Sequence, residues 1–353
     1  MEIHNENPRS SIARQPALTL KEFNGRILDP EVPIHLPWNL TAKEFTALLS
    51  EPEDCGSSLF PQYLPNFGFP ALREWLSRLL NTLSTQEDAC HPFHAHPYAL
   101  HKLDVEAVDW FSQGRLGFMK IQSVIENDER DCNWIPGAVF LRGGSVAVLV
   151  RLSLSLSPCL IMTSYAQIIV QPEAATGDAE KHVILTIQPR IAACSLSFAE
   201  IPAGMVDDSG SLAGKAAEEI KEEAHLQVKE NQLLNMSKLA LSEVVTDDFS
   251  KAEALQDAMY PSPGGCDEFI PLFLCQKRLT RNHINWLKGR ATGLRSEGEK
   301  INLKLVPLND LWKEGGRDGK ALAALALYEG LKREGKVPDM PAEVEREPEE
   351  LHG

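Results

Sequence analysis

Three glutamates near the middle of the chain have the types and spacing of a divalent-metal site. Glu219, Glu222 and Glu223 stand at positions i, i+3 and i+4 of a pattern that predicts a helix over 212–224. This spacing gathers three carboxylates on one helix face, where like charges repel by roughly 0.2–0.5 kcal/mol per pair. A bound cation would remove that repulsion, and hard oxygen ligands suit Mg²⁺ or Mn²⁺. The helix alone leaves a second interpretation open, a solvated face whose charge is partly neutralised by nearby lysines.

The elements around these glutamates determine where the carboxylates point. Phe198–Ile201 is typical of a strand, and Pro-Ala-Gly-Met then leads into a loop rich in Gly and Asp. Asp208 or Ser209 can cap the helix that follows. Apolar residues repeat every four positions in this helix and predict its buried stripe: Leu212, Ala216 and Ile220.

Strand-like and helix-like segments follow one another along the rest of the chain. Helices are predicted over 42–50, 71–82 and 319–334, and strands over 116–125, 137–143, 145–152, 182–188, 269–275 and 300–308. Their order predicts an α/β (α+β) sandwich with a mixed β-sheet, preceded by a smaller α+β domain.

Changes in composition predict the domain organisation. The predicted parts are a flexible N-terminal tail (1–25), an N-terminal domain (26–135), a larger domain that carries the glutamates (136–338) and an acidic disordered tail (339–353).

Bulk properties limit the possible partners and compartments. The formal net charge of −15 over 353 residues argues against a nucleic acid or an anionic membrane as the main partner. Seven scattered cysteines fit a reducing compartment better than a disulfide framework. No apolar run approaches the roughly 20 residues that span a bilayer, and the N-terminus has no apolar signal-peptide core. We therefore expect a cytoplasmic protein.

The segment IPAGMVDDSGSLAGKAAEEIKEEAHL (201–226) resembles the Nudix box, a sequence motif of hydrolases that cleave nucleoside diphosphates. Aligned from Gly204, the metal-ligand positions of the motif fall on Glu219, Glu222 and Glu223. The backbone carbonyl of Ala203 falls where the family supplies a further ligand. The resemblance implies a metal site rather than a plain solvated face, and a Nudix α/β/α sandwich for 136–338.

Three residues depart from the motif. Gly210 stands in place of the first Glu, Glu218 in place of the Arg and His225 in place of the Gly. The motif Arg orients the metal-binding carboxylates, and the loss of such a supporting residue commonly costs about 10- to 100-fold in affinity or activity. The departures concern the rate of the reaction more than the fold.

The similarity extends over roughly 115–335 and resembles the subgroup that hydrolyses ADP-sugars, typified by plant ADP-glucose pyrophosphatases. It is carried by PGAVFLRGGSVAVL (136–149), QPRIAA (188–193), YPSPGGCDE (260–268) and ATGLRSEGEKINLKLVPLNDLW (291–312). The resemblance implies that Arg190 contacts a substrate phosphate or ribose and that Glu200 lies near the substrate. It also places Asp267 and Glu268 on a loop that approaches the metals, and Arg142 either on the substrate or in a salt bridge of the sheet.

The implied activity is Mg²⁺-dependent hydrolysis of the diphosphate of ADP-ribose or ADP-glucose, which gives AMP and a sugar phosphate. Bound metal ions would neutralise the phosphate oxygens and lower the pKa of a water molecule. The base would be Glu222, Glu223 or Glu268, and the residues alone do not select one. Two alternatives stay open: a UDP-sugar diphosphatase, and a catalytically weak protein that binds nucleotide sugars. The resemblance also implies a homodimer to which the N-terminal domain contributes.

One segment interrupts the resemblance. If residues 150–167 are removed, VAVL joins IIVQ and the match becomes much closer. Removal of these 18 codons would keep the reading frame, and we therefore hypothesise that the segment is an insertion or a retained intron. The alternative is a genuine extended hairpin, because Leu152, Leu154 and Leu156 alternate with Ser as in a strand.

Overall fold

The structure is a computed structural model of the full chain. It describes residues 15–50, 69–110, 116–129, 133–143, 145–152, 167–171, 181–205, 217, 220, 226, 228–242, 253, 255–293 and 300–346. The chain divides into two compact units. Unit 1 comprises 1–142 with 246–255 and 262–267, and unit 2 comprises 143–245 with 256–261 and 268–353. The domain boundaries inferred from composition stay predictions.

The described residues of unit 1 form a sheet and two helices. Its elements are β1 Leu18–Phe23, β2 Arg26–His35, α1 Ala42–Leu49, α2 Pro70–Ser84, β3 Ala99–Trp110, β4 Leu116–Glu126, β5 Trp134–Ile135 and β6 Ala138–Leu141. The sheet order is β1-β2-β3-β4-β5, and β6 also pairs with β4. A capping box between Thr41 and Glu44 begins α1, and Pro70 occupies the first turn of α2. The predicted helices over 42–50 and 71–82 and the predicted strand over 116–125 are confirmed. Their observed ends differ from the predicted ends by no more than two residues.

β1 corrects one prediction, because Leu18–Phe23 were assigned to the flexible tail and instead form a strand. β1 pairs antiparallel with β2, and Phe23 is buried in the core of unit 1. Asn24 and Gly25 connect the strands with φ values of 50° and 74°. An Asn-Gly pair with two positive φ angles is the preferred two-residue hairpin turn. This dipeptide was the sequence signal for the hairpin.

Unit 2 contains a larger mixed sheet with helices. Its strands are β7 Ser145–Leu152, β8 Gln167–Gln171, β9 His182–Arg190, β10 Ser195–Glu200, β11 Ala203–Met205, β12 Leu233–Asn235, β13 Leu272–Leu279, β14 Ala291–Thr292, β15 Ile301–Pro307 and β16 Val344–Glu345. The helices whose ends lie within the described residues are α3 Met236–Leu241, α4 Arg281–Leu287, α5 Leu311–Glu314 and α6 Gly319–Arg333. The main path is β11-β7-β13-β8-β9-β15-β14, with β10 on β9, both β12 and β16 on β13, and a further pairing of β7 with β9.

The central strands of this sheet are buried on both faces. Val183 and Leu185 of β9 belong to a core with Ala321, Ala324 and Tyr328 of α6. Ile184 and Thr186 of β9 point to the opposite face and are also buried. Burial on both faces is the arrangement of a sandwich with layers on each side of a sheet. The predicted α+β class with a mixed sheet is confirmed.

The predicted disordered C-terminal tail also needs correction. Within it, Val344 and Glu345 form β16, which pairs parallel with Arg278 and Leu279 of β13. Val344 is buried, and the Glu345 carboxylate accepts from Lys277 Nζ at 2.9 Å. The burial of Val344 and the ion pair of Glu345 thus fix a segment whose acidic, Pro-rich composition is typical of a disordered tail. Residues 347–353 lie outside the described residues. None of the described helices is both long and apolar enough to cross a bilayer.

Candidate active site

The helix that was predicted to carry the three glutamates is described at two positions. Ala217 and Ile220 have helical backbone and are fully buried. The backbone N–H of Leu226, which is also buried, donates to the carbonyl of Ile220 at 3.3 Å. The predicted burial of Ile220 is therefore confirmed. Glu219, Glu222 and Glu223 lie outside the described residues, as do Gly210, Glu218 and His225.

Ala203 begins the short strand β11 directly after β10. β11 pairs antiparallel with β7, so that Ala203 lies opposite Ala147. Ile201, two residues earlier, is fully buried, and its N–H donates to Asp318 Oδ2 at 2.9 Å. The backbone that leads into Ala203 is thus held on one side by the sheet and just before it by a buried carboxylate.

Arg190 and Glu200, which were predicted separately, are in direct contact. Glu200 is opposite Thr186 in the pairing of β10 with β9. Arg190 Nε lies 2.6 Å from Glu200 Oε1. The Glu200 side chain is 3% exposed and that of Arg190 is 43% exposed. The buried carboxylate therefore anchors a guanidinium whose other end reaches the surface.

Two residues that the sequence analysis did not select complete this cluster. Lys320 Nζ lies 3.0 Å from Glu200 Oε2 and 3.0 Å from Asp318 Oδ1. Asp318 is the N-cap of α6 and accepts from the Lys320 N–H. We define the ion-pair cluster as Arg190, Glu200, Asp318 and Lys320. It holds two cations and two anions, so the buried charges balance.

The sequence contained a signal for both added residues. Asp immediately before a predicted helix is a preferred N-cap, and the helix from Gly319 was predicted. A lysine in the first turn is disfavoured by the helix dipole, which suggests a compensating acid nearby. Burial alone would lower the pKa of Lys320, but the charges of Asp318 and Glu200 outweigh it and raise that pKa above its ordinary value. Lys320 is therefore an ammonium at neutral pH.

Gln188 lies on the same strand face as the cluster. Thr186, Gln188 and Arg190 alternate along β9 and share one face. The Nε2 atom of Gln188 is buried, and it has no hydrogen-bond partner among the residues that the structure describes. Buried amide donors nearly always have a partner in proteins, so this donor is suited to a ligand or an ordered water molecule.

Arg142 and Asp267 are brought together in unit 1. The backbone N–H of Arg142 donates to Asp267 Oδ1 at 2.8 Å, and the Asp267 N–H donates to the Phe140 carbonyl. Asp267 thus fixes the backbone at Arg142, while a substrate contact by either side chain stays a prediction. Glu268 belongs to unit 2 and is half-buried. Its predicted role as base is likewise a prediction.

The donors that were predicted for a metal ion form a consistent chemical set. Three carboxylates and one backbone carbonyl are hard oxygen ligands, the type that Mg²⁺ and Mn²⁺ prefer. The described part of the set fits, because Ala203 has a fixed backbone and the buried positions 217 and 220 are helical. No group of three or more His, Cys, Asp or Glu side chains suited to a metal occurs within the described ranges, which omit the three glutamates.

Comparison with known proteins identifies one informative relative. Over 239 residues the chain is 32% identical to a protein named Nudix hydrolase 14, chloroplastic, from Arabidopsis thaliana. The match covers 67% of this chain and 65% of the relative, so slightly less than two thirds of the relative is represented. No protein-family model matches. A crystal structure described as an ADP compounds hydrolase overlays with a TM-score of 0.37 at 16% identity, over 68% of this chain and 99% of that one.

Proposed function

We propose that this chain is a Nudix hydrolase and that it cleaves the diphosphate bond of a nucleoside-diphosphate sugar; its similarity to a plant protein named as a Nudix hydrolase supports the family. ADP-ribose and ADP-glucose are the proposed substrates, and AMP and a sugar phosphate are the products. The observation that carries the proposal is the ion-pair cluster, in which the partly exposed Arg190 is held by Glu200, the last residue of β10 and three positions before Ala203.

The ion-pair cluster can orient an anionic substrate. Arg190 contacts Glu200 through Nε, and no contact with the described residues occupies its terminal nitrogens, which can donate to a phosphate or a ribose oxygen. Glu200 cannot turn away, because Lys320 holds its second oxygen. The Nε2 donor of Gln188 on the same face of β9 adds a neutral contact for a sugar hydroxyl or a phosphate. In a chain of net charge −15, these local donors offset the repulsion of an anionic ligand.

The proposed metal ligands are Ala203, Glu219, Glu222 and Glu223. In the sequence, Glu219, Glu222 and Glu223 stand at positions i, i+3 and i+4 of the predicted helix, a spacing that gathers three carboxylates on one face. A bound Mg²⁺, or Mn²⁺, would neutralise phosphate oxygens and lower the pKa of a water molecule. Glu222, Glu223 or Glu268 would accept the proton of the attacking water. The resemblance also proposes Arg142 and Asp267 as substrate contacts.

The direct test is release of AMP from ADP-ribose and ADP-glucose with Mg²⁺. Arg190→Lys is the informative variant, because it retains the positive charge but loses the planar guanidinium and its fixed contact with Glu200. We expect KM to rise about tenfold or more with a smaller change in kcat. An unchanged KM would show that Arg190 does not bind the substrate.

Two alternatives make different predictions in the same assay. A UDP-sugar diphosphatase would release UMP and leave the ADP-sugars intact. A catalytically weak nucleotide-sugar-binding protein, motivated by Gly210, Glu218 and His225, would bind the ligands in calorimetry without releasing a monophosphate. A homodimer and a cytoplasmic location remain proposals. The relative's name states a chloroplastic location for that protein.

A further inference from the structure

Two segments of unit 2, the strands β7 and β8, form backbone pairings with the same two strands, β13 and β9. Arg151 of β7 and Ile169 of β8 each pair with Gln276 of β13 and with Val183 of β9. The other edge of Val183 is taken by Val306 of β15. Arg151 and Ile169 therefore fall on one edge of Val183. A strand position between two neighbouring strands can hold one residue, so β7 and β8 are alternative occupants of one position.

The offset between the two occupants is constant. Leu152 and Val170 both pair with Lys277. Val170 lies 18 positions after Leu152 in the sequence, and Ile169 lies 18 positions after Arg151. Just before these pairs, Leu149 pairs with Leu274. If 18 residues were absent after Leu149, Ile168 would follow directly and face Cys275, and Ile169 would face Gln276 as it does now. One uninterrupted strand would then run from Ser145 to Gln171.

The direction of the strands argues against an extended hairpin. Both β7 and β8 are parallel to β13, so they run in the same direction. Two successive strands of a hairpin are antiparallel. The described parts of β7 and β8 instead have the same direction and the same pairing partners in the sheet.

We propose that residues 150–167 interrupt a single strand, and that the chain without these 18 residues is the form with a complete central sheet. Two observations give the same length: the interruption of the sequence resemblance and the repeated register on β13 and β9. The inference does not depend on the proposed substrate. It bears on the site, since β7 also pairs with β11 and so holds the backbone of Ala203.

The test compares three deletions in the otherwise full chain: residues 150–166, 150–167 and 150–168. The 18-residue deletion keeps both halves in register. The 17-residue deletion leaves one extra residue that must bulge, and the 19-residue deletion shifts one half by a residue and turns its side chains to the opposite face. We expect the unfolding temperature and the soluble yield to peak at the 18-residue deletion, above the full chain. A flat profile, a peak at another length, or a full chain more stable than all three would overturn the proposal.

A second 18-residue deletion, 151–168, is the matched control. It joins Val150 to Ile169 and retains the same register with Cys275 and Gln276. Its unfolding temperature should equal that of the 150–167 deletion within a few degrees. Sequencing of the transcript provides a separate test, in which messages that join the codons of Leu149 and Ile168 are expected. If all messages retain the codons and the full chain has the highest unfolding temperature, the segment is a native part of the fold.

Discussion

Removal of the Lys320 ammonium is predicted to destabilise unit 2 strongly. Lys320 Nζ lies 3.0 Å from one oxygen of Glu200 and 3.0 Å from one oxygen of Asp318, so the two oxygens are within twice that distance of each other. Both carboxylates are 3% exposed. In Lys320→Met the side-chain length is similar, but among the described contacts Glu200 retains only the Arg190 cation and Asp318 retains only backbone N–H donors. Breaking a buried ion pair costs about 3 kcal/mol or more.

The expected change in unfolding temperature follows from that free energy. For a unit of this size about 1 kcal/mol corresponds to roughly 2–4 °C, so Lys320→Met should unfold roughly 6–12 °C below the wild type. The wild-type contribution is fully present at neutral pH, because the folded pKa of Lys320 is raised and the contribution is lost only as the pH rises through it. The deficit of the variant should therefore be present at both pH 5 and pH 8.

Scanning calorimetry at both pH values measures this effect, and two variants serve as controls. Lys320→Arg retains a cation and should recover at least half of the lost stability. Lys313→Met removes an exposed lysine from a pair with Asp310 at 3.3 Å and should change the unfolding temperature by less than about 3 °C. If Lys320→Met is as stable as Lys313→Met at pH 8, the ion-pair cluster does not hold this part of the fold together.

Three further predictions concern other parts of the chain. Asp318→Ala removes a helix N-cap and the acceptor of the buried Ile201 N–H, so denaturant unfolding should show a loss of about 2–4 kcal/mol; a loss below 1 kcal/mol would contradict the contact. Gly25→Ala places a side chain at φ 74° and should cost about 1–2 kcal/mol by the same measurement, although no neighbour obstructs the new methyl group; equal stability would exclude the turn. Burial raises the pKa of the Cys275 thiol to about 12, so iodoacetamide at pH 8 should label the exposed Cys90 and leave Cys275 unmodified until the chain is unfolded, as mass spectrometry can determine.

The sequence predicted those elements whose signal is local. α6 was predicted within one residue, because its apolar residues repeat with helical period, and β7 was predicted with the observed ends. The Asn-Gly turn after Phe23 was equally local and was overlooked. β16 could not be predicted, because its single buried residue, Val344, has a partner on β13 that is distant in the sequence.

The candidate site shows the same division. The sequence motif selected Glu200 and Arg190 one at a time, but their contact depends on the register of β9 with β10. Lys320 lies 120 positions after Glu200, and no periodicity relates the two residues. Only the packing of the start of α6 against the end of β10 brings them together. Residues that hold a site from a distant part of the chain are therefore the ones that sequence patterns miss.

The most direct measurement of the central claim is nucleotide release from ADP-ribose, ADP-glucose and UDP-glucose with Mg²⁺, with and without a chelator. Glu223→Gln is the matched variant, since it changes one proposed ligand from a carboxylate to an amide of the same shape. The account predicts AMP release from an ADP-sugar that is abolished by the chelator and reduced at least 100-fold in the variant. AMP release that persists in the chelator, or equal rates for the wild type and Glu223→Gln, would contradict a metal-dependent site on these glutamates.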